Sequence, residues 1–184
     1  NVPYLGSGKQ NGLLKDYCER IHPKAKADLA TSFVERCLAF CSHKGSTALV
    51  TPQNWLFLGT YRSLRESILK SYQLTAVCRL GPRAFETIGG EVVNVVLLLL
   101  GRSSSQLQHN YAGIDCTELS GVSEKREGLM SRALYSVNQA HQLKNPQAAI
   151  SFNNDEIGEL LEDNAKSLRG LSPGDTGPLC RSSW

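Results

Sequence analysis

The sequence predicts an α/β fold, and three observations carry that prediction. Apolar residues recur at helical spacing in several stretches, short apolar runs lie between them, and helices and strands alternate over the first hundred residues. The order is helix, strand, helix, strand, loop, strand. At 184 residues, 41% hydrophobic and 20% charged, the chain has the composition of an ordinary globular protein with a substantial core. A net charge of +3 is compatible with nucleic acid but does not single it out.

Leu13 to Ile21 is expected to be helical, with Leu13, Leu14, Tyr17 and Ile21 on one stripe and Pro23 beyond its end. A longer helix is expected from Asp28 to about His43, capped by Asp28 and ended by Gly45. Its buried face is read from Leu29, Phe33, Cys37 and Phe40 or Cys41. Ser46 to Thr51 reads as a short strand broken by Pro52. Thr60 to Tyr72 reads as an amphipathic helix, with Leu64, Ile68 and Leu69 inward and Arg62, Arg65 and Lys70 outward. Leu74 to Leu80 is a second strand. Val92 to Leu100 is a third, long and apolar enough for a central position but too short to span a bilayer as a helix.

Between those strands lies a loop from Gly81 to Gly90, whose Gly89-Gly90 pair would let the backbone bend or pass close to a ligand. Beyond Arg102 the character changes. Ser103 to Ser105 opens a polar loop, and Gln106 to Val122 shows no clean period. A charged turn is expected at Glu124 to Glu127 and a strand at Ala133 to Val137. A short strand at Ala149 to Phe152 and an acidic helix at Asp155 to Ala165, with Ile157, Leu160 and Leu161 as its apolar side, complete the reading. Cys18, Cys37, Cys41, Cys78, Cys116 and Cys180 have no framework spacing and read as free thiols of a reducing cytoplasm. Cys37, Cys41 and His43 lack a second ligand pair at a zinc spacing and read as packing residues.

The stretch richest in chemistry is the first four residues, Asn1-Val2-Pro3-Tyr4. An Asn, a small residue, a Pro and an aromatic resemble the tetrapeptide with which amino-methyltransferases hold a planar nitrogen for alkylation. The lone pair of an adenine-type amine is delocalised into its ring, so the amine is a poor nucleophile. The Asn1 side-chain oxygen and the Val2 carbonyl can accept its two N–H bonds and draw the nitrogen towards a tetrahedral shape. Pro3 fixes its own φ and biases Val2 towards an extended shape. Tyr4 can stack on the base and stabilise positive charge.

Other candidates flank this stretch. Gly6-Ser7-Gly8-Lys9 lacks the spacing, the following Ser or Thr and the preceding strand of a phosphate loop, which rules out ATP binding there. Lys9 reads either as a solvated loop residue or as a contact to a DNA phosphate. Gln53, Asn54 and Trp55 follow a strand, at the edge where open α/β sheets place ligands. Gln53 is a candidate site-lining residue, and Trp55 reads as a cap on the core.

Asn1-Val2-Pro3-Tyr4-Leu5-Gly6-Ser7, followed by Asp28-Leu29-Ala30 opening a helix and by Thr51-Pro52-Gln53-Asn54-Trp55-Leu56-Phe57-Leu58, resembles adenine-specific DNA methyltransferases. The likeness is to their Asn-Pro-Pro-Tyr segment and the half of the catalytic domain downstream of it, in the large restriction-modification type and the BREX phage-defence type. Val2 stands where that family usually has Pro, but the group expected to act there is a main-chain carbonyl, which Val keeps. The resemblance covers residues 1–101 well and the remainder loosely.

It implies the second half of a Rossmann-like methyltransferase sheet ending in an antiparallel hairpin, followed by a mixed α+β extension. Residues 1–101 would be the C-terminal half of the catalytic domain, 102–166 an extension or insertion, and 167–184 the start of a linker to a DNA-specificity domain. The implied activity is N6-methylation of an adenine flipped out of double-stranded DNA, with S-adenosylmethionine as cofactor. Asn1, Val2, Pro3 and Tyr4 would form the catalytic stretch. The hairpin loop of that family carries a ring against the far face of the base, and Phe85 is either that ring or a core residue. The family's cofactor-binding strand, Gly-rich loop and acidic residue precede the tetrapeptide and are not found in this sequence. The expectation is therefore a fragment, inactive alone, of a cytoplasmic enzyme that works with DNA and other defence subunits and with no membrane. A methyltransferase for protein glutamine or RNA adenine, and a non-catalytic DNA-binding or scaffold module of the same fold, are the alternatives.

Overall fold

Five strands pair into one mixed sheet in the computed structural model, which describes residues 1–85, 93–104, 108–152 and 165. They are β1 (Ser46–Pro52), β2 (Gln73–Gly81), β3 (Val95–Gly101), β4 (Asn110–Asp115) and β5 (Tyr135–Asn138), in the order β1-β3-β2-β4-β5. β3 lies antiparallel between β1 and β2, β2 pairs parallel with β4, and β4 pairs antiparallel with β5. Strands β1, β2 and β4 therefore run the same way and bring Pro52, Gly81 and Asp115 to one edge. The expected antiparallel pairing of the second and third strands is present, and β3 holds the interior position its apolar sequence suggests.

Among the described residues four α-helices accompany the sheet: α1 (Gly12–Ile21), α2 (Leu29–Phe40), α3 (Arg62–Ser71) and α4 (Val122–Ser131). The main core joins α2 and α3 to the strands through Ala30, Val34, Leu38, Leu64, Ile68, Val77, Leu98 and Leu100. Leu80, Val95 and Cys116 form a second, smaller cluster. Trp55 is buried in the main core, as its cap reading requires, and its indole Nε1 donates to Thr51 Oγ1 at 3.0 Å. Leu56 is buried beside it, whereas Phe57 and Leu58 are exposed. Among the described residues no helix is long and apolar enough to cross a membrane.

Several local expectations are corrected. The α1 stripe does not go inward: Leu13, Tyr17 and Ile21 are exposed, and Cys18 is the buried residue of that helix. The face of α2 is rotated, since Phe33 and Phe40 are exposed and Ala30, Thr31, Val34 and Leu38 are buried. Small residues let this helix sit close to β1, and the rings fall outside the contact. Phe40 instead carries the Arg36 guanidinium 4.6 Å from its ring centroid. The helix stops at Phe40 rather than at Gly45, and the left-handed turn residue is Lys44, at φ 63°. Glu124 to Glu127 lie within α4, not in a turn. Gln106 to Val122, read without a period, holds β4. Ala149 to Phe152 form no strand; the Ile150 amide donates to Leu56 O at 2.8 Å. Gly89, Gly90, Cys180, residues 155–164 of the expected acidic helix and residues 167–184 lie outside the described residues.

The largest correction concerns Arg65. It does not face out; it is fully buried. Its Nη1 donates to Trp55 O and Leu58 O at 2.6 and 2.7 Å, its Nη2 to Gln147 O and Phe57 O at 2.7 and 3.5 Å, and its Nε to Ala148 O at 3.1 Å. Burial pulls its pKa down to about 10, which still leaves the guanidinium charged at neutral pH. A second buried cation does similar work where β2 and β4 end. Lys125 Nζ donates to Leu80 O and Leu119 O at 2.6 Å each and to Cys116 O at 3.2 Å, tying those strand ends to α4.

Each buried carbonyl left unpaired costs about 1–3 kcal/mol. Arg65→Met is therefore expected to lower unfolding stability by at least ~3 kcal/mol, read from the urea midpoint. Arg62→Met, which removes an exposed pair with Glu66, is expected to cost less than about 1 kcal/mol.

Candidate functional site: the cleft beside the N-terminal tetrapeptide

The first residues are held in place from within and from behind. Val2 is 7% exposed and belongs to the main core, while Asn1 and Pro3 on either side of it are exposed. Tyr4 is half-buried and packs on the same core. The chain then runs beside the start of α2. Leu29 N donates to Leu5 O at 3.0 Å, Ser7 N donates to Ala27 O at 2.9 Å, and Gly6 and Asp28 form a β-bridge. Asp28 Oδ1 accepts from Ala30 N at 2.8 Å, as an N-cap should, and also from Leu5 N at 3.3 Å. Gln10 reaches back, its Nε2 donating to Leu5 O at 3.0 Å. A short 3-10 turn, Ser7–Lys9, and the Asn11 cap of α1 complete the loop.

This loop forms one wall of an open cleft of about 440 Å³. Tyr4, Leu5, Gly6, Gly8, Lys9 and Asp28 line it on that side. Pro52 and Asn54 at the end of β1, with Val93 and Asn94 ahead of β3, line the other. The strand end and the segment before β3 are joined where Gln53 N donates to Asn94 O at 2.8 Å. The cleft thus lies at the C-terminal edge of β1, and beside the Tyr4 ring its lining residues carry an ammonium (Lys9), a carboxylate (Asp28) and two side-chain amides (Asn54 and Asn94). Such a set suits a flat polar ligand that both donates and accepts hydrogen bonds.

The structure brings together Tyr4 and Lys9 of the residues singled out from sequence. Gln53 is buried, at 7% exposure, and its Oε1 has no hydrogen-bond partner among the described residues; it is not one of the residues that line the cleft. Phe85 is 37% exposed at the end of the described part of its loop and is not a lining residue. Asn54 was placed at the ligand edge of its strand but not singled out, and Asn94 and the cleft-facing role of Asp28 were not legible. Asp28 carried a sequence signal, as a helix cap, but only the fold shows that it also holds Leu5.

The Tyr4 hydroxyl is buried with no partner among the described residues, and burial followed by the nearby Asp28 charge pushes its pKa above the ordinary tyrosine value. Tyr61, ahead of α3, is raised by the same two causes. Among the described residues no group of three His, Cys, Asp or Glu side chains could hold a metal ion. S-adenosylmethionine finds no cradle of the expected kind there either. The Gly6–Gly8 turn follows no strand, and the described residues hold no succession of strand, Gly-rich turn and helix with a ribose-binding acid.

Comparison with known proteins shows what the chain is similar to. Residues 1–85 match the Eco57I restriction-modification methylase family. Over 106 residues, 58% of this chain, the sequence is 36% identical to the adenine-specific methyltransferase PglX of Lacticaseibacillus casei (strain Zhang). Over 105 residues, 57% of the chain, it is 33% identical to the adenine-specific methyltransferase BrxX of Escherichia coli O9:H4 (strain HS). The chain spans 9% of the length of each of these relatives. A modification subunit of a putative type I restriction enzyme from Vibrio vulnificus YJ016 shares the fold over 74% of this chain and 32% of that one. The TM-score is 0.51 at 21% identity. The resemblance read from the tetrapeptide and its surroundings is borne out.

As pH rises past about 10, phenols of the unfolded chain ionise before those of Tyr4, Tyr61 and Tyr111, all raised by burial. The unfolded state then binds fewer protons than the folded one, so stability is expected to fall with rising pH. Tyr4→Phe is expected to reduce that fall and to change stability at pH 7 by no more than about 0.5 kcal/mol. Urea midpoints at pH 7 and pH 11 check both; a larger loss at pH 7 would show that the hydroxyl has a partner.

Proposed function

Homology over residues 1–85 to the Eco57I restriction-modification methylases is the premise from which we propose that this chain carries the acceptor-holding part of a DNA adenine N6-methyltransferase. The enzyme is S-adenosylmethionine-dependent and belongs to a restriction-modification or phage-defence system, working on double-stranded DNA and with other subunits of that system. The observation that carries this reading is the position of Tyr4. It lines a cleft at the C-terminal edge of β1, inside the matched segment and directly after Asn1, Val2 and Pro3.

In this reading Asn1 Oδ1 and the Val2 carbonyl accept the two N–H bonds of an adenine flipped out of the duplex, and Tyr4 stacks on the base. The buried Val2 side chain anchors the turn, and Pro3 stiffens it. Lys9, exposed at the cleft wall, contacts a DNA phosphate; Gln53 supports the opposite wall; Phe85 closes on the far face of the base. Residues 1–101 are the C-terminal half of a Rossmann-like catalytic domain, and the antiparallel pairing of β2 with β3 supports that assignment. Residues 102–166 are an extension, of which β4 and β5 continue the same sheet, and 167–184 begin a linker.

The full-length gene product is expected to place N6-methyladenine in duplex DNA and not to methylate RNA or a glutamine peptide. Asn1→Ala is expected to lower the rate by about a hundredfold or more, comparable to loss of one preorganised hydrogen-bonding group in other active sites, while folding is retained. Near-normal methylation by Asn1→Ala, or transfer to RNA or glutamine instead, would overturn the proposal.

A further inference from the structure

We infer that Asp28 is a positioning residue for the tetrapeptide, acting through the hydrogen bond from the Leu5 amide to its carboxylate at the wall of the cleft. The inference rests on the reading of Asn1–Tyr4 as the acceptor-holding stretch.

Asp28 does two jobs with one oxygen. Its Oδ1 caps α2 through Ala30 N and also takes the amide that directly follows Tyr4. A cap needs only the first bond. Asn11, the cap of α1, makes just that kind of contact, accepting from Leu14 N at 2.9 Å. The second bond ties the tetrapeptide to a helix end that is itself anchored in the core by Ala30, Val34 and Leu38. The bonds from Leu29 N to Leu5 O and from Ser7 N to Ala27 O flank it, so residues 5–7 are clipped along residues 27–29. Tyr4, one residue before the clip, cannot shift along the cleft wall without breaking it. Asp28 itself lines that wall beside Tyr4.

Reaction rates fall steeply when a bound group is misplaced, by about a hundredfold for an error near 1 Å. Loss of the clip is therefore expected in turnover more than in DNA binding. In the full-length gene product, Asp28→Ala is expected to lower kcat for duplex methylation by about ten- to a hundredfold, with the KM for duplex within about threefold. Asp28→Asn keeps a side-chain oxygen as acceptor and as N-cap, and is expected to restore kcat to within about threefold. Asn11→Ala removes a cap of the same kind away from the cleft wall and is expected to leave kcat unchanged.

Amide hydrogen exchange reads the clip without reference to activity. The Leu5 amide is expected to exchange at least about tenfold faster in Asp28→Ala, but not in Asp28→Asn or Asn11→Ala. Unchanged exchange at Leu5 in Asp28→Ala would overturn the inference. So would an active Asp28→Ala enzyme, or an Asp28→Asn variant as impaired as Asp28→Ala. A wild-type protein that methylates no adenine would overturn the acceptor reading instead, and the exchange result would still decide whether Asp28 holds the tetrapeptide.

Discussion

The buried guanidinium of Arg65 joins parts of the chain that no strand pairing connects. It takes carbonyls from the turn after β1 and from residues 147 and 148, more than eighty positions further on. The turn begins at Gln53 and includes Asn54, which lines the far wall of the cleft. A buried charge is tolerable here because backbone dipoles surround it and the guanidinium supplies donors to their carbonyls. Lys125 follows the same logic where β2 and β4 end, with three carbonyls around one ammonium. Both cations hold irregular backbone at or near the C-terminal edge of the sheet. That is where a site built from loops most needs rigid support.

The near wall depends on a different device. A carboxylate at the start of α2 secures the segment after Tyr4, and the buried Val2 side chain secures the segment before it. The tetrapeptide is thus fixed at both ends while Asn1 and Pro3 stay exposed. Under the proposed function, a segment that receives a base flipped out of a duplex has to be accessible and rigid at once. Anchoring through a core side chain and a helix cap meets both demands. The match to the Eco57I methylases runs through this near wall, through β1 and through the turn that Arg65 holds.

Much of this was legible in the sequence, and the misses have physical causes. The strands β1, β2 and β3 follow from apolar, β-branched runs, and the tetrapeptide with its flanks pointed to the family. Arg65 escaped because its residue type argues for solvent while its period argues for the core: 65, 68, 69 and 72 form an i, i+3, i+4, i+7 stripe, and Ile68 and Leu69 on it are buried. The α2 face is misjudged from its rings, when Ala30 and Val34 make the close contact. β4 lost its alternation because Gly113 has no side chain where one would be expected. A Cβ there would lie 2.6 Å from Phe152 Cδ1, since that ring fills the place. α4 showed no apolar stripe because Lys125 and Gly128 make up its buried face. Residues 149–152 form no strand; the carbonyls of Ala149 and Ser151 are taken by Asn145 Nδ2 and the Tyr111 hydroxyl, and the Ser151 amide donates to Gln142 Oε1.

The central claim is that the cleft beside Tyr4 receives adenine from duplex DNA for methylation. Single-molecule sequencing of DNA from a host expressing the full-length gene product tests it most directly. The account predicts N6-methyladenine at one short recurring sequence, absent when the expressed protein carries Asn1→Ala. Unmodified adenine throughout, or marks that persist in the Asn1→Ala host, would contradict it.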